Sequence, residues 1–458
     1  MPENPPSPTT PWTRREFVGA LAGATAAAGC ASPDARYMGE SVSWSARPKR
    51  VAIIATKVAR YSHAQHFVDR FLEGYGWHGA HHRPPFELAG FYVDQFPEDD
   101  LARERAARHG QTIQPTIAAA LTLGGAKLAV DGVLLIGEHG NYPVNDKGQT
   151  LYPRYKFFKE IVRVFEQSGR AVPVFNDKHL STDWSEAVEM VEDSRRLKFA
   201  LHAGSSLPVT WRIPEVEIPL GTPLAESVAV CYGGIDSYDF HGLETAQCMS
   251  ERRAGGETGV RWVHAAKGEK VWALLEGRET TQRLLLAALN RSEAVLAPAG
   301  YTFAVPTLEW MRRGCQRITA YFLEHNDGFR TTMFLLNGSG AEFAGLDQRS
   351  REALWRSRFV RDFTYAGQAR NGDLFSCKMH LPMPPYNTTL ADFFNPLVNH
   401  FEQTILTGTT PYPVERTLLT TGMTAACVDS LARGQERVET PWLKVAYGEP
   451  RDSQFWRA

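Results

Sequence analysis

The sequence lacks the features that would place it in several common classes. Its 50 Lys and Arg are balanced by 51 Asp and Glu, so no positive excess predicts a nucleic-acid partner. After residue 30 no apolar run is long enough to cross a membrane as a helix. The later cysteines are odd in number and contain no Cys-x-x-Cys pair, which predicts buried free thiols rather than a disulfide framework. They are Cys231, Cys248, Cys315, Cys377 and Cys427.

Glycine is absent from one turn where a nucleotide-binding chain usually has it. The stretch "VAIIATKVARYSHAQHFVDRF", residues 51–71, begins as a buried strand and continues as a helix, with no glycine between them. A glycine-rich turn lets the backbone approach a pyrophosphate and directs a helix N-terminus at it. The Lys, Arg, Thr and Ser side chains of this turn could replace those backbone amides. Two interpretations stay open: a dinucleotide held by side chains, or a cleft that binds another ligand.

Residues 1–45 have the pattern of an export leader and linker. Arg14 and Arg15 precede a short apolar run of small residues, 17–28, which is typical of a twin-arginine (Tat) signal for folded proteins. The run ends in "AAGC", which resembles a lipoprotein cleavage box with Cys30 as its cysteine. We therefore expect a periplasmic or exported protein that uses the Tat machinery. Lipid attachment at Cys30 and simple cleavage both stay open.

The rest of the chain, about 410 residues, is too long for one ordinary core and predicts two domains. In its first half, short apolar runs alternate with helical patterns such as 155–169 and 183–197. Unbroken apolar runs are typical of strands buried on both faces. Alternating strands and helices predict an α/β fold, a Rossmann-like doubly wound parallel sheet over 46–206. The predicted strands are 51–54, 88–93, 133–136, 172–175 and 199–203.

Hydrogen-bonding and ionisable residues follow each of these strands. Ligands of such sheets bind outside the carboxyl ends of the strands, so these residues should meet at one rim. Any one of them could be a helix cap or a solvated loop residue, but together they favour a polar cleft. The candidates are Thr56, Arg60, His63, Asp94, Glu138, His139, Asp177 and Lys178.

Residues 172–206, "VPVFNDKHLSTDWSEAVEMVEDSRRLKFALHAGSS", resemble the stretch around the Glu-Lys-Pro motif of the Gfo/Idh/MocA (glucose–fructose oxidoreductase-like) family. Asp177, Lys178 and His179 fall on that motif, with its lysine retained. "AVDGVLLIGEHGNYP" is similar to the family's strand that ends beside the nicotinamide, which would place Glu138 and His139 at the cofactor. The strand that ends at Asp94 resembles the one whose acidic residue contacts the adenosine ribose.

The resemblance continues through the second half. "YGGIDSYDFHGLETAQCM", residues 232–249, is similar to the start of the family's catalytic helix, and His241 falls on the catalytic histidine. Asp236 and Asp239 both stay open as the aspartate that orients it. Residues 320–338 read as a hairpin. The resemblance implies a C-terminal α+β domain over 207–458, with an open and mostly antiparallel sheet that serves substrate binding and oligomerisation.

The function implied by the resemblance is an oxidoreductase that acts on a sugar, polyol or glycoside hydroxyl with tightly bound NAD or NADP. His241 would take the hydroxyl proton. Lys178 would hydrogen-bond the reacting oxygen, and a lowered pKa would let it share proton transfer. Trp211 could stack on a sugar and Arg212 could pair with an acidic group, although packing and a surface ion pair explain them equally well. A homo-oligomer is also implied.

Two other function classes stay open. One is a metal-dependent or redox-neutral carbohydrate lyase, epimerase or hydrolase, because histidines are dense at 63–66 and 78–82. Their spacing matches no metal motif, so no metal site is predicted. The other is a non-catalytic binding lipoprotein that kept the two-domain cleft. An exported dinucleotide enzyme would have to carry its cofactor out already bound, which Tat export of a folded protein permits.

Overall fold

The structure is a computed structural model that describes residues 48–293, 307–315, 317–337, 359–382, 391–452 and 454–456. The predicted leader, with Arg14, Arg15 and Cys30, lies outside the described residues. No helix in the described part of the chain combines the length and apolar character needed to span a bilayer. The five later cysteines are all buried and free, as predicted.

A parallel five-stranded sheet forms the first half of the described chain. Its strands are β1 (Lys49–Ala55), β4 (Phe86–Val93), β5 (Gly132–Ile136), β6 (Val174–Asp177) and β7 (Leu201–Gly204). They run in the order β4-β1-β5-β6-β7. A small hairpin, β2 (Tyr75–Trp77) and β3 (Ala80–His82), lies between β1 and β4 in sequence. The helices are α1 (His63–Glu73), α2 (Ala102–Arg108), α3 (Ile117–Thr122), α4 (Arg154–Ser168) and α5 (Trp184–Arg196).

Local sequence signals explain where these elements begin and end. The residues Val51 to Ala55 of β1 are completely buried, as expected for a strand covered on both faces. Helix α4 ends at Gly169, which takes a left-handed conformation at φ 61°. Helix α5 begins after Asp183, whose carboxylate accepts hydrogen bonds from the backbone amides of Ser185 and Glu186.

A second sheet of eight strands forms the other half. Its strands are β8 (Arg212–Ile213), β9 (Leu224–Cys231), β10 (Val260–Lys267), β11 (Arg317–His325), β12 (Arg330–Asn337), β13 (Phe363–Ala369), β14 (Leu374–Met379) and β15 (Arg437–Glu439). They lie in the order β15-β10-β11-β12-β9-β13-β14-β8. Only the β9–β12 pair among them is parallel. The predicted fold class, a Rossmann-like sheet plus a mostly antiparallel open sheet, is confirmed.

The remaining described helices follow in the second half of the chain. They are α6 (Asp239–Ser250), α7 (Glu269–Leu275), α8 (Glu279–Leu289), α9 (Leu308–Gly314), α10 (Asn395–Thr407) and α11 (Val414–Ala432), with a 3₁₀ turn at Asp392–Phe394. Helix α6 is buried along its whole length and packs on β9, β12, β13 and α11.

The 3₁₀ turn and α10 return to the first sheet. Phe394 and Phe401 share a hydrophobic cluster with Phe67 of α1 and Phe175 of β6. The ring of Phe394 lies 5.7 Å from that of Phe67, and the rings of Phe401 and Phe175 are also 5.7 Å apart. Late parts of the chain therefore cover one face of the first sheet and close one side of its carboxyl rim.

Candidate active site

A cavity of about 310 Å³ lies where the carboxyl rim of the first sheet meets α6. Its volume is near the lower end of the roughly 300–1,000 Å³ that is usual for small-molecule sites. Lys178 and His241 both line it, together with Glu138 and three tyrosines, Tyr61, Tyr152 and Tyr238. Aromatic side chains, among them Phe393 and Phe394, supply its apolar wall. The structure therefore brings together the lysine and the histidine that the sequence singled out.

Three residues that line this cavity have a strained backbone. Tyr61, His139 and Lys178 all line it, and all have left-handed backbone, with φ values of 62°, 69° and 66°. Side chains other than glycine adopt this conformation at a cost, and it persists where the surrounding structure imposes it, often at functional sites. In the glycine-free turn after β1, Tyr61 takes the conformation that a glycine would otherwise supply.

One wall of the cavity carries permanent charge. Lys178 Nζ lies 2.8 Å from Glu138 Oε1, and the other carboxylate oxygen of Glu138 pairs with Arg154 at the start of α4. All three side chains are buried. Burial alone would raise the pKa of the Glu138 carboxyl, but Lys178 and Arg154 hold it well below its usual range. Glu138 is therefore an anion between two cations.

The expected lowering of the Lys178 pKa is wrong. Burial acts in that direction, but the Glu138 carboxylate beside the ammonium group outweighs it, so the pKa of Lys178 lies above its ordinary value. The prediction had considered only neighbouring cations, whereas the fold places an anion at hydrogen-bond distance. Lys178 can therefore act as a fixed positive hydrogen-bond donor, not as a base near neutral pH.

The opposite wall is neutral and carries His241. Its Nδ1 lies 3.0 Å from Ser205 Oγ and 3.3 Å from Glu244 Oε2. Burial, Lys178 and His63 lower the pKa of the His241 imidazole well below its usual value. His241 is therefore a neutral ring that can accept or donate a proton.

The prediction that Asp236 or Asp239 orients His241 is wrong. Asp239 is fully buried and accepts hydrogen bonds from the Phe240 amide at 2.9 Å and the Tyr321 hydroxyl at 2.9 Å. Asp236 accepts from the Gln149 side chain and the Thr150 amide, each at 3.0 Å. Both aspartates thus fix loop and helix ends around the cavity. The carboxylate next to the histidine is Glu244, one helical turn after His241.

Two other imidazoles at the cavity, those of His66 and His139, are also neutral. Burial lowers the pKa of His66 to about 2 and that of His139 to about 4. His63 Nδ1 lies 2.8 Å from Asp177 Oδ2. The buried Nδ1 of His139 and the buried Oδ1 of Asp177 have no hydrogen-bond partner among the described residues. Buried polar atoms without partners are uncommon in native proteins and suggest a missing ligand or water.

The predicted cofactor residues of the β1 turn differ in their surroundings. Thr56 is buried and donates its hydroxyl to the backbone carbonyl of Glu138 at 2.6 Å, which joins the ends of β1 and β5. Arg60 is exposed and lies 4.9 Å from the centre of the Tyr61 ring. Ser62 caps α1 by accepting from the Gln65 amide at 3.2 Å. Thr56 therefore has a structural contact, whereas Arg60 remains available to a ligand.

Asp94 lies at the carboxyl end of β4, on the exposed side of the rim. Its two carboxylate oxygens accept hydrogen bonds from the hydroxyls of Tyr92 at 2.9 Å and Tyr142 at 2.7 Å. Gln95, the next residue, exchanges two hydrogen bonds with the backbone of Asn141 in the loop after β5. These contacts hold the Asp94 carboxylate in one position, with no cationic partner among the residues that the structure describes.

The structure places the predicted substrate residues Trp211 and Arg212 outside the cavity that Lys178 and His241 line. Trp211 is 40% exposed and packs against the His380 ring, 5.8 Å away. Arg212 is buried, donates to the Val216 carbonyl and stacks over the Phe455 ring. The strand end that carries them turns away into β8, so the alternative of ordinary packing applies to both.

The site residues that the sequence did not single out are Arg154, Tyr152 and Glu244, whereas Ser205 follows the predicted strand 199–203 as a polar residue of the rim. A signal existed only for Glu244, which follows His241 by three residues in "HGLE" and so shares its helix face. Arg154 looked like an ordinary residue of a surface helix. In the described part of the chain, no group of three or more His, Cys, Asp or Glu side chains is arranged to hold a metal ion. The metal-dependent alternative therefore gains no support from those residues.

Comparison with known proteins identifies the fold. No protein-family model matches the sequence, and no curated protein matches it significantly. The crystal structure of GenD2 from gentamicin A biosynthesis in complex with NAD matches 86% of this chain and 97% of its own, with a TM-score of 0.51 and 11% identity. A probable dehydrogenase from Thermotoga maritima matches 86% and 99%, with a TM-score of 0.50 and 11% identity. The chain has the fold of these dehydrogenases, so the fold implied by the family resemblance is confirmed.

Proposed function

We propose that the protein is an NAD(P)-dependent oxidoreductase that acts on a hydroxyl group of a sugar, polyol or glycoside. The observation that carries this proposal is the meeting of Lys178 and His241 in one cavity at the carboxyl rim of the sheet. In this fold, ligands bind at that rim. A structure of the same fold, GenD2, is a complex with NAD.

The residues around the rim fit a dinucleotide. The first turn of α1 presents backbone amides and Arg60 a positive charge, both suited to a pyrophosphate. The Asp94 carboxylate, held by two tyrosine hydroxyls, suits the hydroxyls of an adenosine ribose and would repel a 2′-phosphate. The unpartnered atoms of His139 and Asp177 suit a polar group deeper in the site. We expect NAD to be preferred over NADP.

The chain's own residues divide the reaction between them. A bound nicotinamide would supply the hydride acceptor. The Lys178 ammonium, kept protonated by Glu138, would donate to the reacting oxygen and stabilise negative charge there. The neutral His241 would accept the hydroxyl proton at the ring nitrogen that faces the cavity. The buried aromatic wall would exclude water from this step.

The predicted leader, residues 1–45, also supports a proposal for the cellular location of the protein. The Arg14-Arg15 pair supports Tat export of the folded protein with its dinucleotide bound, and Cys30 offers a site for a lipid anchor. Bound cofactor would then be recycled by oxidising one substrate and reducing another. By resemblance, we also propose that the second sheet serves a homo-oligomer.

Release of bound nucleotide from the purified protein tests the proposal. The full chain is denatured gently, and the released small molecules are identified by mass spectrometry. We expect NAD(P) in an amount approaching one per chain, and absorbance changes of the nicotinamide when sugars and polyols are added. A Lys178→Met variant should weaken both signals, whereas Trp211→Ala, which changes a residue that does not line the cavity, should keep them. Protein that holds no dinucleotide, and takes up none when NADH is added, would contradict the proposal.

A further inference from the structure

A chain of buried polar groups leads from the cavity into the core. His241 Nδ1 contacts the Ser205 hydroxyl at 3.0 Å, and that hydroxyl contacts Glu244 Oε2. All three residues are less than a tenth exposed. The proposed function uses His241 alone, so the Ser205 and Glu244 contacts behind it call for a separate explanation.

The carboxyl group of Glu244 lies close to the carboxyl end of β7. Glu244 lies on the same face of α6 as His241, three residues later. Its Oε1 accepts a hydrogen bond from the Ser205 amide at 2.9 Å. Gly204, at the end of β7, has φ of +121°, and a Cβ atom there would stand 2.9 Å from the same oxygen. Glycine at this position therefore leaves room for the carboxyl group.

The contacts at Nδ1 decide what His241 can do at its other nitrogen. A neutral imidazole carries one proton, and the partner of one nitrogen fixes whether the other is a donor or an acceptor. Because Ser205 and Glu244 occupy Nδ1, Nε2 is the nitrogen left for a ligand in the cavity. Its proton content therefore depends on the groups behind the ring.

We propose that Glu244, through the Ser205 hydroxyl, selects the tautomer of His241 and receives the proton that the ring removes from a substrate. This proposal deepens the proposed function and rests on it for the identity of the proton donor. Glu244 is a positioning residue, since it contacts His241 and Ser205 and does not line the cavity.

Two hydrogen-bond directions follow from the protonation of Glu244. When the carboxylate is ionised, it accepts from the Ser205 hydroxyl, which accepts from Nδ1–H of His241, and Nε2 is a bare acceptor. When the carboxyl group is protonated, it donates to the Ser205 oxygen, which donates to Nδ1, and Nε2 carries the proton. Ionised Glu244 thus prepares His241 to remove a proton, and neutral Glu244 prepares it to give one.

Proton transfer connects the two states without a charged imidazole. The substrate O–H bond breaks and its proton binds Nε2 of His241. The Nδ1 proton moves to the Ser205 oxygen, and the Ser205 proton moves to Glu244 Oε2. One proton has been gained and Glu244 is now neutral; a bound nicotinamide would supply the acceptor for the hydride that leaves the substrate carbon. This relay lets a ring with a lowered pKa act as a base.

The electrostatic surroundings agree with a carboxyl group that can hold a proton. Burial raises the pKa of Glu244 to about 8, against the opposing effect of its bonds to Ser205 and of the Arg416 charge. The titratable groups that face Glu244 are His241 and Cys248 on its own helix, Asp177 on β6, and Tyr412 and Arg416 before and on α11. Those that face His241 are His63, Glu138, Lys178 and His179.

Nitrogen-15 NMR of the histidine rings in the full, ligand-free chain tests the proposal without any activity assay. We expect the protonated nitrogen of His241 to change from Nε2 to Nδ1 as the pH rises, with a midpoint near 8. His325 is an internal control: its Nδ1 lies 3.0 Å from Glu257, whose pKa is held well below its usual range despite burial, by His325 and Arg253. His325 should therefore keep one tautomer over the same pH range.

Two variants separate the relay from a merely structural role. Glu244→Gln should abolish the pH-dependent change at His241, and Ser205→Ala should weaken it because only the 3.3 Å contact of Glu244 remains. A single His241 tautomer throughout the titration of the unmodified chain, or an unchanged transition in Glu244→Gln, would overturn the proposal. If the transition occurs but no dinucleotide binds, the coupling stands and the proposed function fails. If dinucleotide binds but the His241 tautomer does not change with the protonation of Glu244, the proposed function stands and the proposed coupling fails.

Discussion

The two walls of the cavity are built on opposite electrostatic principles. On the wall formed by the first sheet, Lys178, Glu138 and Arg154 are buried with their charges fixed by mutual pairing. On the wall formed by α6, His241 and Glu244 are buried in surroundings that favour their neutral forms. Charge on the first wall is permanent, whereas protons on the second can move.

This difference suits the two tasks of the proposed dehydrogenation, which are to stabilise charge on the reacting oxygen and to accept its proton. A fixed cation stabilises a reacting oxygen only if it never loses its proton, and pairing with an anion ensures that. A proton acceptor works only if it changes state near the working pH, and burial without a counter-ion brings that about. Substitutions that remove charge from the first wall, or proton exchange from the second, test this difference.

The largest effect is expected from Glu138→Gln. The substitution leaves two buried cations, Lys178 and Arg154, without their anion, which should cost about 3–5 kcal/mol of the free energy of unfolding. Denaturant unfolding measures this. The matched control is Glu166→Gln, which removes the exposed partner of Arg196 and should leave the stability nearly unchanged. Equal effects of the two variants would mean that the first wall is not a buried charge cluster.

The next largest effect separates the walls by function. His241→Asn should lower turnover by about 10²–10⁴-fold, because it removes the proton acceptor, while NADH still binds. Lys178→Met should weaken both turnover and NADH binding, because the charge on the first wall is lost. Fluorescence titration with NADH and steady-state rates measure the two quantities. Normal turnover in His241→Asn would show that His241 of α6 is not the proton acceptor.

The walls should also give opposite dependences of stability on pH. Glu244 has a folded pKa near 8, above its ordinary value. Its contribution to the free energy of unfolding is therefore full below about pH 4.5 and is lost as the pH rises to 8. The loss is at most about 1.4 kcal/mol per pH unit. Glu138 has a lowered folded pKa, so its contribution is full above about pH 4.5 and is lost on acidification. Unfolding curves of Glu244→Gln and Glu138→Gln at several pH values show whether each carboxyl group stabilises the fold at low or at high pH. A Glu244→Gln variant as pH-dependent as the parent would disprove the neutral wall.

The smallest effect is expected at the outer rim. Asp94→Asn should weaken NAD binding about tenfold, because a charge-assisted hydrogen bond becomes a neutral one, and should improve NADP binding by removing repulsion of its 2′-phosphate. Equilibrium titrations with both reduced nucleotides measure the ratio. Tyr155→Phe removes a hydroxyl that is paired with Glu189 of α5 and should change neither affinity. No change in the ratio for Asp94→Asn would place the adenosine elsewhere.

Much of the architecture follows from local sequence patterns. The apolar runs of the parallel strands and the stop at Gly169 are set by burial and by backbone freedom within a few residues. Lys178 and His241 could be predicted to share a cavity because each matches a motif of one family. Patterns of this kind need no knowledge of the partner elements.

The partners of these residues could not be predicted in the same way. Glu138 raises the pKa of Lys178 only because β5 and β6 are neighbours in register, and Ser205 reaches His241 only because α6 packs against the end of β7. The carboxylates nearest to His241 in the preceding sequence, Asp236 and Asp239, bind elsewhere. Which carboxylate faces an imidazole depends on helix rotation and long-range packing, which a single sequence does not display.

The crystal structure of the full chain grown with NADH tests the central claim most directly. The nicotinamide ring is predicted to lie in the 310 Å³ cavity, beside Lys178 and His241, with the adenosine ribose at Asp94. A nucleotide bound outside this cavity, or a cavity that stays filled only by solvent at saturating NADH, would contradict the account.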